Sequence, residues 1–159
     1  TLALELAVRD VPRAGEILTG QLARIDNPDR KARFAFIMPA LSGDAAVRER
    51  WFLALGDLAN RRREPWVLDG LDYLHHPLRA AASAKYVRPS LDLLWEIQKT
   101  GDIFFPKRWM DATLGGYSSG DTAGDVRRFL ATLPADYPVR LRNIVLQSAD
   151  ELFRAAGQR

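Results

Sequence analysis

Apolar residues recur along this chain at the spacing of an α-helix, and this periodicity constrains the fold more than any other feature. Phe34, Ile37, Met38 and Leu41 stand at positions i, i+3, i+4 and i+7, which places them on one helical face. The same spacing recurs from Val47 to Leu58, from Val67 to Leu74, from Leu91 to Trp95, from Val126 to Leu133 and from Leu141 to Phe153. No segment shows the alternation and β-branched enrichment of a half-buried strand. The pattern therefore predicts an all-α fold.

Capping residues, prolines and glycines indicate where the helices begin and end. Asn27 precedes Pro28, which is an N-cap followed by proline at the first helical position. Pro39 predicts a kink or an early stop inside the first stripe. Gly101 and Gly115 suit helix ends, where glycine takes the left-handed conformation. Further helix starts are expected at Ser42 or Asp44, at Asp121 or Thr122, and at Pro138.

The predicted helices are joined by short linkers, which makes neighbouring helices antiparallel. Helical hairpins of this kind stack into an α-solenoid. Strict sequence repeats are not visible, so the expected architecture is an irregular HEAT-like solenoid of stacked antiparallel hairpins. Residues 1–159 contain no low-complexity linker, and we expect them to form a single helical domain.

Residues 100–117 combine large apolar side chains with basic ones. We interpret Ile103, Phe104 and Phe105 as a wedge that fills the gap between two hairpins. Trp109 continues the apolar stripe, and the two basic residues that precede it fall on the opposite arc. The four tryptophans of the chain lie on or beside apolar stripes, which favours a role in the core.

The net charge is only +3, and acidic residues are interleaved with basic ones along the chain. The densest basic run, Arg61 to Arg63, is followed at once by Glu64. Because a nucleic-acid footprint gathers its charge on one face or element, this distribution argues against nucleic acid as a partner.

The chain has no cysteine, which excludes disulfides, thiolate nucleophiles and cysteine-based zinc sites. No apolar run approaches the roughly 18 residues that a membrane crossing needs. We therefore expect a cytoplasmic protein without a membrane partner. Because the chain opens at Thr1 rather than at methionine, we also expect it to be a piece of a longer polypeptide.

No catalytic or metal-binding signature is visible in the sequence. Its two histidines, His75 and His76, are adjacent, so on a helix they point about 100° apart and do not converge on one metal. We interpret them as a cation-tolerant helix C-terminus before Pro77. Asp69 and Asp72 are better explained as a solvated helix face than as an acid/base pair. No catalytic residue and no metal ligand is therefore assigned to this chain.

Three segments nevertheless carry a family resemblance. They read NPDRKARFAFIMPALS (Asn27 to Ser42), REPWVLDGLDYLHHPLR (Arg63 to Arg79) and KYVRPSLDLLWEIQKTGDIFFPKRWMDATLGGY (Lys85 to Tyr117). They resemble the C-terminal helical domain of bacterial aminopeptidase-N-like zinc metallopeptidases. The likeness covers nearly the whole chain, is most specific in its middle, and involves no catalytic motif.

The resemblance implies a parent enzyme that removes N-terminal residues from peptides, with a zinc-bound water and a glutamate base in a separate catalytic domain. It implies that the present chain closes over that active site and limits peptide access. The zinc motif H-E-x-x-H and the substrate-amine motif of the family do not occur in this sequence. We therefore expect no zinc and no peptidase activity in this chain alone, and we expect the catalytic domain of the same polypeptide as its partner.

In that family the concave side of the helical domain faces an internal cavity, where basic side chains can meet a peptide's C-terminal carboxylate. The basic residues that flank the two most specific segments are Arg79, Lys85, Arg88, Lys107 and Arg108. We hypothesise that some of them bind peptide substrates. The alternative for each of them is a solvated outer face or an ion pair with a neighbouring acid.

Two other functions stay open from the sequence. The chain could be a free-standing HEAT-like scaffold that binds a protein along its groove, or a basic helical module that binds nucleic acid. A domain cut from a larger enzyme also exposes a former interface, so we expect the isolated chain to self-associate through an apolar face.

Overall fold

The structure, a computed structural model, describes residues 2–157. Every regular element in this range is an α-helix or a short 3₁₀-helix, and the range contains no strand, so the all-α prediction is confirmed. The chain divides into two compact units, Thr1–Leu74 and His75–Arg159. Within residues 2–157, no helix combines the length and the apolar character that crossing a bilayer requires.

The first unit contains six α-helices and a 3₁₀-helix at Met38–Leu41. The helices are α1 (Leu2–Val8), α2 (Ala14–Ala23), α3 (Pro28–Ile37), α4 (Ala45–Ala54), α5 (Leu58–Arg61) and α6 (Glu64–Leu74). Helix α1 packs against α2, and α3 packs against α6. The core of this unit consists of Ala3, Leu4, Ala7, Val8, Leu18, Phe34, Ile37 and Leu41. The predicted stripe on α3 therefore faces the core.

The start and the end of α3 follow the sequence prediction. The Asn27 side chain accepts a hydrogen bond from the backbone amide of Arg30 at 3.0 Å, with Pro28 at the first helical position. The helix ends at Ile37 and tightens into the 3₁₀-helix that contains Pro39, as expected for a proline without a backbone donor.

Helices α4 and α5 begin with the same local arrangement. Asp44 precedes α4 and accepts a hydrogen bond from the amide two residues ahead at 2.8 Å. Asp57 does the same before α5, also at 2.8 Å. Both aspartates follow a glycine, and both belong to a Gly-Asp-x-Ala-x-Arg sequence. The N-cap predicted at Ser42 or Asp44 is thus formed by Asp44.

The arginine that ends each of these sequences is buried. Arg48 donates from Nη1 to the carbonyl oxygens six and five residues earlier, at 2.5 and 3.1 Å. Arg61 donates in the same way at the same two offsets, at 2.5 and 3.0 Å. Each arginine therefore binds the carbonyl groups of the turn that precedes its helix, and these groups have no intrahelical donor there.

Gly70 on α6 allows close contact with Trp51 of α4. A Cβ atom at Gly70 would lie only 2.3 Å from Cζ2 of the Trp51 ring. The ring nitrogen of Trp51 donates to the carbonyl oxygen of Phe36 at 2.9 Å, and the two rings meet edge to face. Trp51 is thus a core residue, as predicted.

The second unit contains 3₁₀-helices at Pro77–Arg79 and Ala84–Tyr86 and seven α-helices. The helices are α7 (Ala80–Ser83), α8 (Val87–Asp92), α9 (Leu94–Thr100), α10 (Phe105–Leu114), α11 (Gly120–Ala131), α12 (Val139–Ser148) and α13 (Asp150–Gly157). Helix α10 packs against α8, α9 and α12, and α11 packs against α8 and α13. The fully buried Trp109 lies on α10 and donates from its ring nitrogen to the Ser90 carbonyl at 3.0 Å.

Three details of this unit differ from the sequence predictions. Helix α11 is capped by Ser119, whose hydroxyl accepts from the Thr122 amide, and neither Asp121 nor Thr122 is the cap. Helices α9 and α10 end at Gly101 and Gly115, but with φ of −104° and −62° neither glycine is left-handed. The proposed wedge is wrong for two of its three residues.

Of the wedge, only Phe105 is buried, at 2% exposure. Ile103 and Phe104 are 59% and 68% exposed, because α10 begins at Phe105 and the two preceding residues lie outside the helix. The wedge was expected in the linker between two helices, where helical periodicity does not indicate which side chains are buried.

Candidate functional site

The first unit contains a cleft of about 760 Å³. Residues from α1, the C-terminal end of α2, the loop before α3, α3 and α6 line it. These residues are Leu4, Gln21, Arg24, Ile25, Asp26, Asn27, Arg30, Arg33, Phe34, Ile37, Asp69 and Tyr73. Its volume falls in the range of small-molecule sites, which are mostly apolar with a few polar groups.

The charged residues of the cleft differ in whether they are paired. Arg33 donates from Nε to the Asp69 carboxylate at 2.8 Å, although the two residues are 36 positions apart. Within the described residues, the guanidinium groups of Arg24 and Arg30 and the Asp26 carboxylate form no ion pair or side-chain hydrogen bond. The cleft therefore presents two positive groups and one negative group that are open to a ligand.

Tyr73 lines the cleft, and its hydroxyl already forms a hydrogen bond. It donates to Glu5 at 3.2 Å. Burial, followed by the nearby negative charge of Glu5, raises the pKa of Tyr73 to about 12. The hydroxyl is thus a neutral donor at physiological pH. Asp72 is exposed, in agreement with the solvated-face interpretation, whereas Asp69 is partly exposed and pairs with Arg33. Partial burial and then the charge of Asp69 raise the pKa of Asp72.

The five basic residues predicted to bind substrate lie in the second unit, in different environments. Arg88 and Lys107 are partly exposed and form i, i+4 ion pairs with Asp92 and Asp111. Arg88 also lies 5.3 Å from the centre of the Phe129 ring. The ion-paired alternative therefore holds for these two residues. Because exposed ion pairs are weak, a charged ligand can still replace the acidic partner.

The other three predicted residues are Arg79, Lys85 and Arg108. Arg79 is 5% exposed, at the end of a 3₁₀-helix. Lys85 is exposed, with its ammonium 5.0 Å from the centre of the Tyr86 ring. Arg108 is exposed on α10 and makes no ion pair within residues 2–157. Of the five, Arg108 is therefore the most accessible to a carboxylate.

His75 is buried and belongs to a polar pair that the sequence did not predict. Its Nδ1 lies 2.7 Å from the Tyr117 hydroxyl, and its Nε2 has no hydrogen-bond partner within the described residues. Burial lowers the pKa of His75 to about 3 and raises the pKa of Tyr117. The interpretation of His75 as a cation at a helix end is therefore wrong, because the imidazole is neutral.

Gly116 explains how His75 is held in this position. A Cβ at Gly116 would lie 1.8 Å from the carbonyl oxygen of His75, so the two backbones touch. His76 is less buried, and its Nδ1 accepts from the Leu78 amide at 3.2 Å. The two histidines thus have separate structural roles. Within residues 2–157 no three histidine, aspartate or glutamate side chains are grouped as a metal ion would require.

Comparisons with protein-family models, with curated proteins and with solved structures give no match. The resemblance to zinc aminopeptidases therefore stays a prediction that rests on the three sequence segments.

The cleft of the first unit was not found by sequence reasoning. Arg24 and Arg30 flank the Asn27 cap, six residues apart, and no motif distinguishes them from the other arginines of the chain. The signal appears only in the folded chain, where Arg33 pairs with Asp69 while Arg24 and Arg30 have no acidic partner within the described residues.

Proposed function

We propose that this chain is the non-catalytic C-terminal domain of a zinc aminopeptidase, in which it closes over the active site and limits peptide access. The irregular HEAT-like stacking of helical hairpins is part of this proposal. The proposal is supported by the three sequence segments and by the all-helical fold. Zinc and the catalytic groups would belong to the catalytic domain of the same polypeptide.

The observation that carries the proposal is an exposed apolar patch, two of whose three residues lie in the most specific of these segments. We call it the Ile103 patch, and it consists of Ile103, Phe104 and Val139, which are 59%, 68% and 72% exposed. Arg140, next to Val139, donates to the Ile103 carbonyl at 2.9 Å, so the starts of α10 and α12 are joined. Large apolar side chains gathered in this way are typical of a surface that another domain covers.

The first test is the gene sequence upstream of Thr1. A reading frame that continues upstream and encodes H-E-x-x-H supports the peptidase domain. A start codon directly ahead of Thr1 would instead favour the free-standing HEAT-like scaffold, which the same apolar patch would suit. DNA binding that weakens steeply with salt would favour the nucleic-acid module.

The second test is the Ile103 patch itself. We expect Ile103→Ser/Phe104→Ser to weaken binding of this chain to the separately expressed upstream portion at least tenfold, which corresponds to about 1.4 kcal/mol. Calorimetric titration measures the affinity. Leu53→Ser/Leu78→Ser is the control, because these leucines are 65% and 63% exposed outside the patch. Equal effects of the two double variants would reject the patch as the domain interface.

Self-association of the isolated chain is proposed to use the same patch. Sedimentation of the chain alone at high concentration would then show a dimer that Ile103→Ser/Phe104→Ser removes. A clean monomer would count against it.

The peptide-binding role of the basic residues remains part of the proposal. In the complete enzyme, Arg88→Glu/Lys107→Glu should raise the KM for long peptides several-fold and leave that for a dipeptide unchanged, because only long peptides reach a remote carboxylate site. Steady-state kinetics across peptide lengths measures it. Arg62→Glu/Arg142→Glu is the matched control with the same charge change. An unchanged preference for peptide length would contradict a peptide-binding role of Arg88 and Lys107.

A further inference from the structure

We propose that the cleft of the first unit binds a small monocarboxylate with an apolar tail. This site is separate from the predicted peptide-binding residues, and it does not depend on the aminopeptidase proposal. It rests on the unpaired charges of the cleft, on its apolar lining and on its size.

The head group is specified by Arg24 and Arg30. Both guanidinium groups line the same cleft without a carboxylate partner in the described residues. Arginine presents a planar fork of donors that matches a carboxylate in two parallel hydrogen bonds. The third arginine, Arg33, is paired with Asp69, so a ligand would have to displace that carboxylate to reach it.

The sign and size of the free charge argue for a ligand with one negative group. Asp26 also lines the cleft and is unpaired, so the free groups leave a single net positive charge. A polyanion such as a nucleoside triphosphate would meet the Asp26 carboxylate as well as the arginines. A monoanion uses the guanidinium groups and is repelled less by Asp26, because it carries a smaller negative charge.

The apolar tail is specified by the other side chains of the cleft. Leu4, Phe34 and Ile37 belong to the core of the first unit and form part of the lining, together with the half-buried Ile25. A hydrocarbon chain placed against them is removed from water at about 0.8 kcal/mol per methylene group. The volume of about 760 Å³ holds an acid of medium chain length.

The test is a titration of the ¹⁵N-labelled chain with octanoate, followed by amide chemical shifts. We expect saturable shifts in α2, in the loop at residues 25–27 and in α3. Octanol and acetate, which each lack one half of the ligand, should bind at least tenfold more weakly, and so should octylamine, which carries the opposite charge. Equal binding of octanol and octanoate would overturn the proposal, because the arginines would then contribute nothing.

The variant Arg24→Gln/Arg30→Gln should weaken octanoate binding at least tenfold. Arg50→Gln/Arg62→Gln is the matched control, since these exposed arginines also lack an ion pair within residues 2–157 and their loss changes the net charge equally. All four side chains are exposed, so we expect both double variants to fold, and circular dichroism checks this. Equal weakening in the two variants, or shifts that map outside the cleft, would reject the site.

Discussion

Replacing Trp109 with alanine is expected to destabilise the second unit by ~3–5 kcal/mol. The side chain is fully buried on α10, and its ring packs edge to face on Phe105. Alanine leaves a cavity and removes the hydrogen bond to the Ser90 carbonyl, which stays buried without that donor. Urea unfolding followed by circular dichroism gives the change in the free energy of unfolding.

Trp95→Ala is the control for this prediction. Trp95 is only half-buried, although its ring contacts Tyr137 at a centroid distance of 5.3 Å. Its replacement should cost ~1–2 kcal/mol, as is usual for a partly exposed side chain. Similar losses for the two tryptophans would mean that the burial of Trp109 does not dominate the stability of this unit.

Acidification is expected to destabilise the second unit through His75. In the unfolded chain this histidine takes up a proton near its ordinary pKa of 6.5, whereas in the fold its pKa is about 3. Between these values the unfolded state binds more protons, so stability falls as the pH is lowered from 6.5 to 3. The slope approaches 1.4 kcal/mol per pH unit, and the loss at pH 3 is ~4 kcal/mol.

His75→Asn tests the acid effect, because asparagine offers a polar group near the position of Nδ1 and does not titrate in this range. We expect a lower stability at pH 7 and a flatter dependence below pH 6.5, measured by urea unfolding at a series of pH values. His76→Gln, at the less buried neighbour, should retain the wild-type slope. A wild-type slope in His75→Asn would show that other groups control acid unfolding.

The helical class and much of the core were predictable because each depends on local sequence. Phe34 and Ile37 are buried by a periodic stripe, and Asn27 caps α3 because its side chain reaches an amide three residues away. The errors concern residues whose environment is set by distant parts of the chain. Phe104 was expected to fill the gap between two hairpins, but it lies before the first turn of α10 and is 68% exposed.

The candidate sites were less predictable for the same reason. An arginine's ability to bind a ligand depends on which acids lie near it, and the partner of Arg33 is 36 residues away. The environment of His75 depends on Tyr117 and Gly116, which are also remote in sequence. The sequence shows which charged and polar side chains the chain contains, but only the tertiary contacts determine which of them stay unpaired.

The paired Gly-Asp-x-Ala-x-Arg sequences have a consequence for the design of helical proteins. Every donor and acceptor in each arrangement comes from seven consecutive residues, Ser42 to Arg48 in one copy and Leu55 to Arg61 in the other. Because a turn of this kind needs no hydrogen-bond partner from elsewhere in the chain, the heptapeptide should form the same turn at the junction of two helices in an unrelated scaffold. Lysine should not replace the arginine there, because both hydrogen bonds of each arginine come from Nη1, and the lysine ammonium lies one bond closer to the backbone than that atom.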